Sequence, residues 1–441
     1  MTSSIPFVRL RGHLGSVLCL DHHDERSQES NFVGGCLLSG SEDGTARLWD
    51  LRQSKAVSCI KAGGNDDDEV SSVCFGVPPH KKEEESTGED PSPFARNFTV
   101  YLSVGTKLLS FDLRKASSPI VPYEAGSLLL QASDDINQIS VCEKRNTSYL
   151  ASADDAGAVQ VIENNNKNNN SQQKPSKKSK KNGATKKTSR TTTTRILQHS
   201  QDALVTAAVF RPGANSKTLE LASGGTDCRV CLWDVQTPKR PLCEQAIGHD
   251  EQSDSNNQLC NPPMVHSLAW APSGRLLAAG LGDGSALVMQ VENRSLVHVA
   301  RLRDKTDAAV AAVIFPATTD RLLTVIRNDA MMHFWDLGVT VAGEQAEDPS
   351  WIVPSNNNNN NHHTDSAKPK DTKNSLPQAM QDLSLDQPSL LFKIPHQNKP
   401  NWMVSSCSSA TGHDNKDKNK DIPCSIFVAD TTNDITAYTL R

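Results

Sequence analysis

No apolar run in this sequence of 441 residues approaches the ~18 residues that a bilayer-spanning helix needs, which excludes a helical membrane protein. Its first residues, MTSSIPFVRLRGHLG, hold no apolar stretch long enough for a secretory leader, so the expected location is inside the cell, in the nucleus and/or cytoplasm. A disulfide framework is missing too: the 11 Cys are odd in number and irregularly spaced, which fits reduced thiols. A general surplus of positive charge is also absent. The formal net charge is −5, and because the segment 164–194 alone carries nine Lys/Arg and no acid, the rest of the chain stands near −14. A general nucleic-acid binder would not have that balance. Apolar residues make up only 36%, so part of the chain does not form core.

What the chain does have is a repeat. Gly12-His13 opens RGHLGSVLCLDHH, and LLSGSEDGTARLWDLR closes it with Trp49-Asp50. A second copy joins ILQHSQDALVTAAVF to LELASGGTDCRVCLWDVQ, and a third joins DAAVAAVIF to RLLTVIRNDAMMHFWDLG. Weaker copies follow the same spacing: YLASADDAGAVQVIE with Ile162 in the Trp place, LLAAGLGDGSALVMQV with Met289 there, FTVYLSVGTKLLSFDLR ending on Phe111-Asp112, and SIFVADTTNDITAYTL with Tyr438. That makes seven, at about 5–52, 56–115, 120–163, 195–236, 242–291, 297–338 and 389–441. Polar low-complexity insertions are expected at 79–96, 164–194, 250–261, 340–388 and 411–421. Without them each repeat averages roughly 46 residues, close to the ~40 to 45 of a four-stranded blade.

These copies resemble WD40 repeats. The resemblance implies an all-β, seven-bladed propeller spanning 5–441 as a single domain, with disordered polar insertions hung on it. Blades cannot bury their faces alone, so seven stack radially and close. PFVRL at the N-terminus would supply the outer strand of the blade formed by 400–440. The resemblance also assigns His13, Ser39, Asp43 and Trp49, and likewise His199, Ser223, Asp227 and Trp233, to a buried structural network in which His bridges Asp and Ser and the Ser reaches the indole N–H. Buried polar groups survive only when paired, so a Ser-His-Asp catalytic reading is a decoy.

Several other patterns imitate chemistry. Cys228 and Cys231 have zinc or redox spacing but fall within a predicted strand, where i and i+3 face opposite ways. Gly280, Gly282 and Gly284 look like a phosphate loop, yet a strand follows rather than a helix N-terminus. His22-His23 and His362-His363 have no second ligand pair. No metal, cofactor or small-molecule substrate is therefore expected, nor an enzyme, since no converging titratable groups depart from the repeat. Within 164–194 the Lys177, Lys178, Lys180, Lys181, Lys186 and Lys187 clusters read as a nuclear-import signal or a solvated loop. Nothing aromatic is interleaved with them, so base stacking is unsupported and nucleic acid is not an expected partner.

One feature carries functional content. Two consecutive repeats end with Arg two residues beyond the Asp: Trp49-Asp50-Leu51-Arg52 and Phe111-Asp112-Leu113-Arg114. The pattern resembles the box by which WD40 substrate receptors dock onto the damaged-DNA-binding adaptor of the cullin 4 RING ubiquitin ligase. It implies a non-enzymatic scaffold that presents protein substrates to that ligase, with no membrane role. On strand geometry, Asp and Arg at i and i+2 would project together and both guanidiniums would emerge on one rim. The alternative is a scaffold of another nuclear complex, in chromatin or ribosome assembly, for which the Lys-rich segment matters more.

Overall fold

The computed structural model describes residues 7–23, 35–63, 68–76, 99–144, 147–164, 193–213, 218–248, 261–316, 320–341, 383–385, 388–407 and 424–440. Seven antiparallel sheets form a seven-bladed β-propeller. In each blade we letter the strands a to d from the central channel outward. Blade 1 comprises Val17–His23, Cys36–Ser41, Thr45–Asp50 and Lys55–Lys61. Blade 2 comprises Val70–Phe75, Thr99–Val104, Lys107–Asp112 and Ser127–Gln131, and blades 3 to 7 begin with the a strands Ile136–Lys144, Val205–Phe210, Val265–Trp270, Val310–Ile314 and Pro400–Cys407. The a strands pack on one another in closed order, the last, Pro400–Cys407, against the first, Val17–His23.

Repeat and blade are offset by one strand. Each sequence copy supplies the outer strand of one blade and the three inner strands of the next, so the first strand, Phe7–Arg11, has its place in the last blade. There it pairs antiparallel with Asp434–Leu440, from Phe7 opposite Tyr438 to Arg11 opposite Asp434. Closing the ring this way removes the sheet edges that an open stack would expose.

The apolar residues form seven slabs, one between each pair of neighbouring blades. Leu38, Leu48 and Ile60 of blade 1 pack with Val73, Leu102 and Phe111 of blade 2, and six equivalent clusters follow round the ring. A middle strand is therefore covered on both faces: CLLSGS, LLAAGL and LLTVIR are buried at every position. Their small residues have a packing reason. A Cβ on Gly40, Gly224 or Gly280 would lie 2.5–2.6 Å from the first Val of the following blade, Val70, Val265 or Val310.

All seven a strands bulge at the same place against strand b, leaving one residue unopposed: Leu18, Ser71, Asn137, Thr206, His266, Ala311 and Asn401. A bulge re-aims its side chain, and here it turns it to the next blade. Ser71 Oγ donates to the Ile136 carbonyl (2.7 Å), Asn137 Nδ2 to Val205 (3.0 Å), Thr206 Oγ1 to Val265 (2.5 Å) and Asn401 Nδ2 to Val17 (2.9 Å). His266 Nδ1 reaches the Val310 carbonyl at 3.1 Å. After Leu18 the Cys19 thiol takes over, 3.6 Å from the Val70 carbonyl. Ala311, between blades 6 and 7, has no polar atom to offer.

The described residues correct two sequence expectations. Strands Ala158–Asn164 and Thr193–Gln198 pair with each other and enter the expected insertion 164–194 from both sides. Val339–Val341 and Leu383–Leu385 pair antiparallel as a small ribbon that begins one residue before the expected insertion 340–388 and ends within it. Most of these insertions, with 79–96, 411–421, Lys177, Lys178, Lys180, Lys181, Lys186, Lys187, His362 and His363, lie outside the described residues.

Candidate protein-docking site

Turn networks hold the strand ends. In blade 1 the His13 ring lies 3.0 Å from Asp43 Oδ2 through Nδ1 and 2.7 Å from Ser39 Oγ through Nε2, and the Trp49 indole N–H donates to Ser39 Oγ at 2.8 Å. Blade 4 assembles the same bracket from His199, Ser223 (2.7 Å), Asp227 (3.2 Å) and Trp233 (2.8 Å). Burial lowers the His13 pKa against the pull of Asp43. Asp43 is itself pushed up by burial, but His13, Thr45 and the Leu14 N–H outweigh this and hold it below the ordinary range. A neutral imidazole beside a carboxylate needs no solvent, and the arrangement clamps the d–a connection to the b–c turn.

A third bracket escaped the sequence reading. His396 Nδ1 meets Tyr438 Oη at 2.7 Å and its Nε2 meets Asp430 Oδ2 at 2.8 Å, all three buried. Tyr438 sits in the Trp place of strand c, and its own hydroxyl replaces the missing Ser. The signal available was a His four residues ahead of strand a, as His13 is. Blades 5 and 6 use other chemistry: Arg301 on Asp283, and a buried Arg327 bonded to the Thr306 and Ala308 carbonyls.

The two Arg boxes lie at the c-strand ends of blades 1 and 2. Because every blade repeats the same strand directions, both ends fall on one rim, opposite the His brackets. Asp50 Oδ1 accepts the Arg52 N–H (3.0 Å) and Nε–H (3.1 Å), and Oδ2 accepts Nη2–H (3.0 Å). Asp112 holds Arg114 identically, at 3.2, 2.7 and 2.9 Å. The Arg114 fork lowers the Asp112 pKa, and the carboxylate raises that of Arg114.

This geometry corrects the strand argument. Strand c ends at Asp50 and at Asp112, and Arg114 lies in a one-turn 3-10 helix, Leu113–Lys115. The Asp side chain turns the backbone by capping the N–H two residues on, and that turn, rather than strand alternation, brings each Arg back over its acid. Asp234 and Asp336 cap Gln236 and Gly338 in the same way, so the turn belongs to four blades and the following Arg to two. In blade 6 Arg321, just ahead of strand Leu322–Arg327, grips Asp336 instead.

Of the six residues expected to touch an adaptor, Trp49 and Phe111 are 0% exposed and Asp50 1%, because their rings fill the slabs beside blade 1. Only the Arg52 and Arg114 side chains, 33% and 43% exposed, and the 22% exposed Asp112 reach the surface. Cys228 is also placed differently from expectation: it occupies the b–c turn with φ 59°, ahead of strand Arg229–Asp234 that buries Cys231. Among the described residues no group of three or more His, Cys, Asp or Glu could hold a metal ion, and no helix is long and apolar enough to cross a membrane.

Seven blades and their one-strand offset form a β-propeller whose His-Ser-Trp brackets are similar to those of WD40 repeats, a scaffold fold for protein interactions. The WD domain, G-beta repeat family matches residues 5–50 and 191–234, and the anaphase-promoting complex subunit 4 WD40 domain matches 255–326. The chain is 24% identical over 347 residues to the WD repeat-containing protein 53 homolog of Dictyostelium discoideum, covering 75% of this chain and 77% of that one. It is 27% identical over 150 residues to protein transport protein SEC31 of Yarrowia lipolytica, and 30% over 81 residues to WD repeat-containing protein VIP3 of Arabidopsis thaliana. Those two matches span 31% and 18% of this chain, and 11% and 25% of the relatives.

Proposed function

We propose that this propeller is a substrate receptor that docks on the damaged-DNA-binding adaptor of a cullin 4 RING ubiquitin ligase, with Arg52 and Arg114 as its contacts. The supporting observation is the identical bidentate Asp–Arg pairing at the same rim of adjacent blades. Each carboxylate orients a planar guanidinium on a side chain that is 33% (Arg52) or 43% (Arg114) exposed, a geometry suited to a partner's carboxylates or carbonyls. Local ion pairs at such exposure contribute only ~0 to 1 kcal/mol, so stability alone does not account for two copies.

Adaptor capture from purified components tests this. Arg52→Ala/Arg114→Ala should lose at least tenfold in affinity, and Arg52→Lys/Arg114→Lys should lose nearly as much, because Lys has no fork. Undiminished capture by the double Ala variant would sink the assignment. The other reading, a scaffold of a chromatin or ribosome-assembly complex, rests on the Lys-rich sequence of 164–194. Deleting 165–192 separates the two: the receptor reading keeps adaptor capture, whereas the other loses its complex and its nuclear import.

A further inference from the structure

The connection that leaves the Arg114 corner does something that no other described connection does. In blade 1 the c strand passes to d through four residues, Leu51 to Ser54. In blade 2 the chain after Asp112 takes 14 residues, 113–126, and spends them crossing to the neighbouring blade. Ile120–Val121 pairs parallel with strand d of blade 1, Cys59 opposite Ile120 and Ile60 opposite Val121, giving the one five-stranded sheet among the described residues.

Two bonds fix the crossing. The Pro119 carbonyl accepts the Cys59 N–H at 2.8 Å and the Ser58 hydroxyl at 3.2 Å. Leu113 and Val121, 2% and 4% exposed, sink at its two ends into the slab shared by blades 1 and 2. On the way back a Cβ on Gly126 would meet the Phe111 ring at 2.6 Å, so the chain passes directly over the aromatic residue that precedes Asp112.

We infer that the 113–126 connection is a tie that fixes the Arg52 corner relative to the Arg114 corner, with Pro119 as its positioning residue, so that both guanidiniums engage one partner protein as a single two-point contact. The inference rests on the docking reading above for the identity of that partner. Its physical basis does not. Two-point attachment gains affinity only if the points are held at the partner's spacing before contact, since freedom between them must otherwise be lost on binding. The tie spans the two blades that carry the boxes, starts within one box and anchors on the blade of the other.

Two variants loosen it. Ser58→Ala/Cys59→Pro removes both donors to Pro119, and the Cys59 N–H has no partner within blade 1 to lose. Pro119→Gly frees the strap without touching strand d, which guards against a folding failure of the first. The partner-free measurement is the distance distribution between spin labels on unnatural amino acids at Gln53 and Ala116, which leave the native Cys untouched. It should be single and narrow in the wild type and broaden in both variants; equal widths would overturn the tie. The second measurement is a double-mutant cycle of Arg52→Ala and Arg114→Ala on adaptor affinity. The two substitutions should be coupled by about tenfold in the tied protein and additive in the loosened ones. Coupling that survives loosening, or a loosened strap with wild-type affinity, refutes the positioning role. If the wild type does not bind the adaptor at all, the docking assignment fails, while the distance measurement still decides the tie.

Discussion

Single side chains carry most of the specificity of this propeller, and their roles follow from what burial does to polar atoms. Ser39 accepts from the Trp49 indole and faces the His13 ring, so Ser39→Ala orphans two buried groups at once. At ~1 to 3 kcal/mol per orphan, the expected loss is about 2 to 6 kcal/mol, read as a shifted urea midpoint; a loss under ~0.5 kcal/mol would mean that water or a rearranged ring takes over. His333 gives a pH signature. Burial, reinforced by Arg327, lowers its pKa from 6.5 to about 4. The unfolded chain therefore binds more protons between pH 4 and 6.5, so stability is full above 6.5 and falls as pH drops through that window. His333→Gln should flatten this part of the stability profile, and an unchanged slope would contradict the lowered pKa. The two consensus brackets were legible in the sequence because their residues recur at fixed offsets from Trp-Asp. His396 was not: Val428 occupies the Ser place, and Asp430 ends strand b rather than sitting in the turn.

The element that repeats most faithfully is the bulge near the start of every a strand, which in five blades turns its polar residue into a stitch to the next. Replacing Asn401 by Val removes the donor to the Val17 carbonyl and should cost about 1 kcal/mol. Ala311→Val, at the one junction without a polar or thiol donor, should cost less, and equal losses in the two denaturation curves would show that packing, not the stitch, sets the energy at this position. Sequence periodicity announces the strands but cannot announce the bulge. Leu18, Asn137, His266 and Ala311 share no chemistry, and only the strand register shows that they occupy one place. The Arg boxes illustrate the same limit: the motif was visible, but its geometry comes from an Asp-capped turn that the expected alternation of a strand did not contain.

For the whole molecule the decisive contact is the pairing of the first strand with the last. Deleting 1–11 removes the outer strand of blade 7 and exposes Tyr438 and Ile435, whereas deleting 165–192 leaves the described pairing of Ala158–Asn164 with Thr193–Gln198 in place. The first deletion should lower the melting temperature by many degrees and the second by few; a ring that melts unchanged without its first strand is not closed by it.

Length, repeat count and the Trp-Asp spacing were enough to specify seven blades, because a blade cannot bury both faces alone and the sequence supplies seven of them in line. The same spacing marked which polar residues would be buried together. Tertiary structure alone decided what links one blade to another: the slabs, the bulge stitches and the 113–126 crossing. Those contacts join residues from different repeats, and no pattern within a single repeat encodes the neighbour it will meet.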